Sequence, residues 1–323
     1  MEFLRRILGR PATEQTPANA VETTSNEGKS KEKKPPQPNP LPDTGTLGPM
    51  GGVTRPLPPE PLAFLKEGRL SFGISSHVGM VRGNNQDAAM AFLFASTSAN
   101  DLPDIGLFII ADGMGGHFDG EKASALASKM VTDHVINQVY LPILKGTDFA
   151  DLPPINEIMM EAAQKANVAI IEQVPNAGTT LTAAVLIGDL AHIVHVGDSR
   201  CYLITNDNMD QLTRDHSLVQ RLIELEQLTP EEAESHPQKN ILYRAIGQND
   251  VLEFDTMTRR LPPNSYLLLC SDGLWGLVED EDMKKIIKSS PNPQAACDQL
   301  VALANANGGV DNISVILLKV PSK

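Results

Sequence analysis

Basic charge, cysteine and long apolar runs are all scarce in this chain. Lys and Arg total 27 against 40 Asp and Glu, a formal net charge of −13 over 323 residues. A surface that holds a nucleic-acid backbone needs the opposite balance, so no nucleic-acid partner is expected. The three cysteines, Cys201, Cys270 and Cys297, lie far apart, with neither a paired framework nor a metal-type spacing. Their spacing excludes a disulfide scaffold and fits a reducing, cytoplasmic compartment. No apolar run reaches the ~20 residues that cross a bilayer. Hydrophobic residues still make up 41% of the chain, enough for a buried core. An acidic protein can act on phosphate esters if bound cations supply the positive charge. Most of its acidic residues need no explanation beyond solubility.

Residues 1–60 read as a disordered tail. They hold 11 of the 24 prolines and few large apolar residues, with eight Lys/Arg against seven Asp/Glu. The stretch Pro35–Pro42 suits an extended polyproline tether. Within residues 1–10, Phe3, Leu4, Ile7 and Leu8 could share a helical face beside Arg5, Arg6 and Arg10. A frayed terminus is the expectation there, and contact with a membrane surface or a partner the alternative.

Residues 61–323 read as one folded domain. Strand patterns fall at 69–76, 88–94, 106–112, 179–187, 191–196, 201–204, 251–260, 266–270 and 312–320. Helical spacing covers 119–139, 155–173, 217–226, 279–288 and 293–305. Short polar turns such as Gly188-Asp189 join consecutive strands, which favours antiparallel sheets. The expected class is α+β, stacked antiparallel sheets with helices on their outer faces.

Three aspartates stand where an apolar strand meets a glycine. Asp112 follows Leu107-Phe-Ile-Ile-Ala111 and precedes Gly113; Asp272 follows Tyr266-Leu-Leu-Leu-Cys-Ser271 and precedes Gly273. Asp311 lies between Gly308-Gly309 and the last strand. A carboxylate at the end of a buried strand is costly unless paired or metal-bound. Glycine beside it lets the backbone turn and bring a carbonyl to the same ion. Oxygen ligands without paired His or Cys select Mg²⁺ or Mn²⁺ over Zn²⁺. One Asp-Gly alone is an ordinary turn signal; three in matched contexts argue for a site.

Seven segments then align in order. They are Val81-Arg-Gly-Asn-Asn-Gln-Asp87, Asp112-Gly-Met-Gly-Gly-His117, Gly178-Thr-Thr-Leu-Thr182 and Val196-Gly-Asp-Ser-Arg200, followed by Leu212-Thr-Arg-Asp-His-Ser217, Ser271-Asp-Gly-Leu-Trp275 and Gly309-Val-Asp-Asn-Ile-Ser314. Together they make residues 68–320 resemble the bacterial branch of the PP2C/PPM serine/threonine phosphatases. The resemblance implies a four-layer α-β-β-α sandwich and hydrolysis of phosphoserine and phosphothreonine by a water activated between two cations. It implies that Asp112 bridges both ions, with the Gly113 carbonyl on one and Asp272 and Asp311 completing the first. Asp87 would reach the ions through water, Arg82 would grip the substrate phosphate, and Asn312 would orient the cluster from behind. A phosphoprotein partner of a cytoplasmic Ser/Thr kinase, and a monomer, are expected. The alternatives are a catalytically weak phosphoprotein-binding module of the same fold and a small phosphate-ester phosphatase.

Several positions depart from the family pattern or carry a plainer reading. Met114 stands where eukaryotic members carry a histidine, which leaves His117 either a proton donor to the leaving oxygen or a surface residue at a helix start. Pro175 replaces a third-ion aspartate, so a two-ion core is expected. Gln86 replaces a glutamate and lowers negative charge beside the second ion. Asp198 is expected to tie a turn, His216 to contact a helix start, Cys270 and Trp275 to pack in the core, and His192 and His195 to pack on sheet faces. Residues 218–248 match a flap beside the active site.

Overall fold

The computed structural model describes residues 69–95, 103–116 and 118–322. The Pro-rich tail, the amphipathic start and His117 lie outside the described residues. In chain order come β1 (Ser71–His77), β2 (Asp87–Phe94), β3 (Ile105–Met114), α1 (Asp119–Val135), α2 (Leu141–Leu144) and α3 (Ile155–Gln173). Five strands follow: β4 (Gly178–Thr179), β5 (Leu181–Ile187), β6 (Leu190–Val196), β7 (Arg200–Ile204) and β8 (Met209–Gln211). Then come α4 (Leu218–Glu224), α5 (Pro230–Glu234), β9 (Asp255–Arg260), β10 (Tyr266–Cys270), α6 (Asp272–Trp275), α7 (Asp280–Ser289), α8 (Pro293–Ala306) and β11 (Ile313–Lys319).

The strands form two antiparallel sheets, ordered β1-β11-β10-β7-β8 and β2-β3-β5-β6-β9, with β4 paired to the end of β3. The period of two along each strand sorts the core into layers. In β3, Leu107 and Ile109 face α1 and α3, packing with Ala127, Val131, Met159 and Ala163. Phe108 and Ile110 face the other sheet and meet Leu267, Leu269, Ile316 and Leu318. From those strands, Leu268, Val315 and Leu317 point outward to Cys297 and Leu300 of α8 and Met283 of α7. The result is the α-β-β-α sandwich.

Most element boundaries agree with the sequence to within two residues, and the exceptions have causes. Helix α1 ends at Val135, and the backbone widens into a π-turn over Ile136–Tyr140. That turn brings the Tyr140 ring edge-on to Phe92 and Phe94 of the edge strand, both 5.1 Å away. The expected strand 179–187 is interrupted at Thr180, whose backbone N–H donates to the Asp112 carbonyl at 2.8 Å. The strand expected over 251–260 begins only at Asp255. Strand β8 and the single turn α6 carry no sequence pattern of their own, being three and four residues long.

Candidate active site

The sheets bring their carboxylates together at one edge of the sandwich. Antiparallel register sets Asp87 of β2 directly opposite Asp112 of β3. Asp272 starts α6 at the end of β10, and Asp311 precedes β11, the neighbour of β10 in the other sheet. Two glycines permit the close approach. A Cβ on Gly113 would collide with the Gly120 carbonyl and the Gln86 oxygen, and one on Gly273 with the Asn312 carbonyl.

Hydroxyls and amides fix the backbone behind the carboxylates. Thr180 Oγ1 accepts the Asp112 N–H at 2.8 Å, while Thr179 Oγ1 donates to the Asp112 carbonyl at 2.9 Å. Ser271 Oγ donates to Asp87 Oδ2 at 2.7 Å and accepts the Ser314 N–H at 2.9 Å. Asn312 is buried and fully used. Its Nδ2 donates to the Val78 and Asn84 carbonyls at 2.8 and 2.9 Å, and its Oδ1 accepts the Gln86 N–H at 2.7 Å. Its own N–H caps Asp311 Oδ1 at 2.9 Å. Arg82, on the exposed loop before β2, donates from Nη2 to Asp311 Oδ2 at 2.7 Å.

The electrostatics show how much uncompensated charge is concentrated here. Burial pushes the Asp87 carboxyl up to about 7; the Ser271 and Ser314 hydrogen bonds oppose it, and the charges of Asp272 and Asp311 add to it. Asp112 is raised well above the usual carboxylate range, first by burial and then by Asp87, Asp272, Asp198 and Asp311. Burial and the Asp311 charge lift Asp272 to about 6, against a hydrogen bond from Asp112 and the charge of Arg82. The hydrogen bond to Asp311 raises the pKa of Arg82. As whole residues these aspartates are half-buried, yet Oδ1 of Asp87 and Oδ1 of Asp272 are inaccessible and have no hydrogen-bond partner. Orphaned buried carboxylate oxygens are costly, and a hard divalent cation satisfies such oxygens. Among the described residues no group of three or more His, Cys, Asp or Glu side chains stands ready-arranged around an ion. Asp311 is drawn to Arg82 and Asp87 to Ser271 instead. The donor set fits Mg²⁺ or Mn²⁺ in chemistry and place.

The structure thus gathers Asp87, Asp112, Gly113, Asp272, Asp311 and Arg82, with Gln86 and Asn312 behind them. Other expectations separate cleanly. Cys270 is fully buried, its thiol pKa pushed up by burial. His192 and His195 lie three apart on β6 and point to opposite faces, His192 to Asn156 and Thr258, His195 to Thr182 and the Arg214 carbonyl. The helix start belongs to Ser217, whose Oγ accepts the Gln220 N–H of α4. His216 instead packs beside His195 and contacts Asp255 at 3.2 Å. Trp275 is only half-buried: its Nε1 donates to the Asp198 carbonyl at 3.0 Å, and the Arg200 guanidinium stacks 3.6 Å from its ring centroid. Pro175 is exposed in a turn beside Asn176, whose φ is 68°.

Ser271, Thr179 and Thr180 lie within the motifs, but nothing in the sequence assigns them a role at the site. Their partners lie 67 to 184 residues away. The signal available was adjacency, since Ser271 immediately precedes Asp272 and the threonines follow Gly178.

A sequence model described as protein phosphatase 2C matches residues 81–305. The chain is 36% identical over 256 residues to protein phosphatase PhpP of Streptococcus pneumoniae, covering 78% of this chain and 98% of that protein. Its fold is similar to the serine/threonine phosphatase PstP/Ppp of Mycobacterium tuberculosis, with TM-score 0.65, 32% identity, and coverage of 78% and 99% of the two chains. A PstP catalytic domain solved with two manganese ions aligns with TM-score 0.60 and 29% identity, covering 78% of this chain and 99% of that domain.

Proposed function

This chain belongs to the bacterial branch of the protein phosphatase 2C family and is a metal-dependent protein serine/threonine phosphatase; from that premise we propose which of its residues carry the reaction. Asp112, Asp272, Asp311 and the Gly113 carbonyl would hold two divalent cations directly, and Asp87 would hold them through water. The observation that carries this assignment is the pair of buried, partnerless oxygens, Asp87 Oδ1 and Asp272 Oδ1, at a point where burial and mutual repulsion hold three carboxyls above their usual range. Bound, the cations supply a hydrolytic water near neutral pH and positive charge for the phosphate oxygens. The two manganese ions in PstP favour two ions here as well, and Pro175 leaves no side chain for a third; both Mg²⁺ and Mn²⁺ suit the donors.

The protein's own groups do the rest. Arg82 is exposed, charged and held at the mouth of the cluster by Asp311. Its planar fork matches two phosphate oxygens and positions the ester for in-line attack. Asn312 and the Gln86 backbone keep the loop carrying Arg82 and Asp87 in register with β11. His117 remains the proposed proton donor to the leaving serine or threonine oxygen. We place the catalytic unit in residues 61–323 and the activity opposite a Ser/Thr kinase in the cytoplasm, acting as a monomer. The three unpaired, buried cysteines support a reducing compartment. No helix among the described residues is long and apolar enough to cross a membrane.

The test is phosphopeptide hydrolysis with added Mn²⁺ and with excess chelator. Activity is expected only with the ion, and Asp272→Ala or Asp311→Ala should abolish it in a folded protein. Full turnover in either variant would sink the assignment.

A further inference from the structure

A cleft of about 720 Å³ opens beside the carboxylate cluster, sharing Asp272 and Asp311 with it. Val219 and Ile223 of α4 form one side, Trp275 and Leu277 another, and Glu279 and Asp280 lie at the start of α7. The cleft is thus continuous with the place where the phosphate is hydrolysed, and a chain held there by its phosphoresidue has its neighbours within reach of these walls.

The charge of the lining is one-sided once existing pairs are removed. Arg200 is committed to Asp215 through contacts of 2.8 to 3.1 Å and lies flat on Trp275. Lys239 is the other basic residue of a lining that holds six carboxylates, Asp198, Asp215, Asp272, Glu279, Asp280 and Asp311. Asp272 and Asp311 belong to the catalytic cluster. Asp198 is buried, so Glu279 and Asp280 are the exposed carboxylates that remain. Both are exposed, and neither enters a salt bridge among the described residues. Glu281 and Asp282 follow them directly, so four carboxylates occupy consecutive positions. Glu279 makes no side-chain cap to its helix. Acidic residues in a first helical turn do favour the helix dipole, and that is the competing explanation a test must separate.

Resting on the phosphoprotein phosphatase activity, we propose that this cleft is a specificity pocket for a lysine or arginine flanking the phosphorylated residue. The valine, isoleucine and leucine side chains cover the methylene stem, and Glu279 and Asp280 receive the charged head. The pocket would select phosphoproteins with a basic residue on one side of the phosphosite and reject acidic ones by the same charges.

The experiment uses the full chain loaded with Mn²⁺ and a series of phosphothreonine peptides in which arginine or glutamate replaces alanine at successive flanking positions. At one position arginine should raise kcat/KM about three- to fivefold over alanine, the scale of an exposed ion pair. Raising the salt should erase that preference. The paired substitution Glu279→Lys and Asp280→Lys should reverse it, and Glu279→Gln with Asp280→Asn should cancel it. p-Nitrophenyl phosphate, too small to enter the pocket, should be hydrolysed equally by all three proteins. A flat peptide series, or a preference that survives both double variants, would overturn the pocket and leave the acidic turn to its helix. Turnover of the small ester keeps the phosphatase assignment standing whichever way the peptides fall.

Discussion

Replacing Asp87 with asparagine should make the ion-free protein more stable and the enzyme worse. Burial lifts this carboxyl from 3.8 to about 7, with the Ser271 and Ser314 hydrogen bonds opposing and the charges of Asp272 and Asp311 adding. A raised folded pKa means that the folded state prefers the proton. The group costs nothing below its unfolded pKa of 3.8, and the cost grows until the pH passes about 7. That span corresponds to about 4 kcal/mol at pH 8. The residue is half-buried, and the water that reaches it relieves part of the cost, so about 4 kcal/mol is a ceiling and about 1–2 kcal/mol the expectation. Asparagine is neutral throughout and its Oδ1 can still accept the Ser271 hydroxyl. In excess EDTA the variant should therefore melt about 3–6 °C higher than the parent at pH 8, and less than half as much higher at pH 5. Buried neutral histidines such as His195, held down to about 3 by burial, titrate in both proteins and cancel in the difference. Added Mn²⁺ should reverse the order, because cation binding stabilises the parent by mass action, and kcat/KM should fall in the variant. An asparagine variant that melts lower than the parent in EDTA at pH 8, or gains equally at every pH, would refute the reasoning.

Gly273→Ala should push the new methyl onto the Asn312 carbonyl, costing about 1–3 kcal/mol in melting experiments. The accompanying shift of Asp272 should lower kcat/KM about a hundredfold, and wild-type turnover would show that the spacing at α6 is not critical. Arg82→Lys keeps the charge and loses the fork, so KM for a phosphopeptide should rise about tenfold at saturating Mn²⁺; an unchanged KM would remove Arg82 from the phosphate. Asn312→Ala strips partners from the Gln86 N–H and the Val78 and Asn84 carbonyls. The expected loss is about 2–4 kcal/mol, read as a melting point lower by about 5–10 °C. Asn312→Asp should rescue it poorly, since a carboxylate cannot donate to two carbonyls.

The layers of the sandwich were legible because burial dictates which positions along each element are apolar. Residues 105–111 are apolar at every position, which is what a strand covered on both faces requires. The clustered carboxylates were legible because each sits at a strand end, Asp112 and Asp272 beside a glycine and Asp311 two residues after one. What escaped was short or remote. A three-residue strand and a one-turn helix carry too few residues for a period to show. The break at Thr180 comes from two hydrogen bonds to a residue 68 positions earlier, and nothing local marks it. The assignment of His216 to a helix start failed by one position. Ser217 has the hydroxyl that a cap requires, which leaves the imidazole free to turn inward to Asp255.

Gln86 shows why a site cannot be read from side chains alone. In the sequence it counts as a lost acidic group, a change that weakens the second ion. In the fold its main chain locks the register that puts Asp87 opposite Asp112. The Gln86 carbonyl accepts the Gly113 N–H at 3.1 Å and the Ser124 hydroxyl at 2.6 Å, and its N–H goes to Asn312. A slip of one residue between β2 and β3 would turn Asp87 to the opposite face of its sheet and dissolve the cluster. Three elements distant in sequence, β3, α1 and the start of β11, hold that one peptide in place. None of those bonds depends on the amide or carboxylate at the end of the side chain. The register that sets Asp87 opposite Asp112 is therefore held at position 86 by the main chain, whatever its side chain adds.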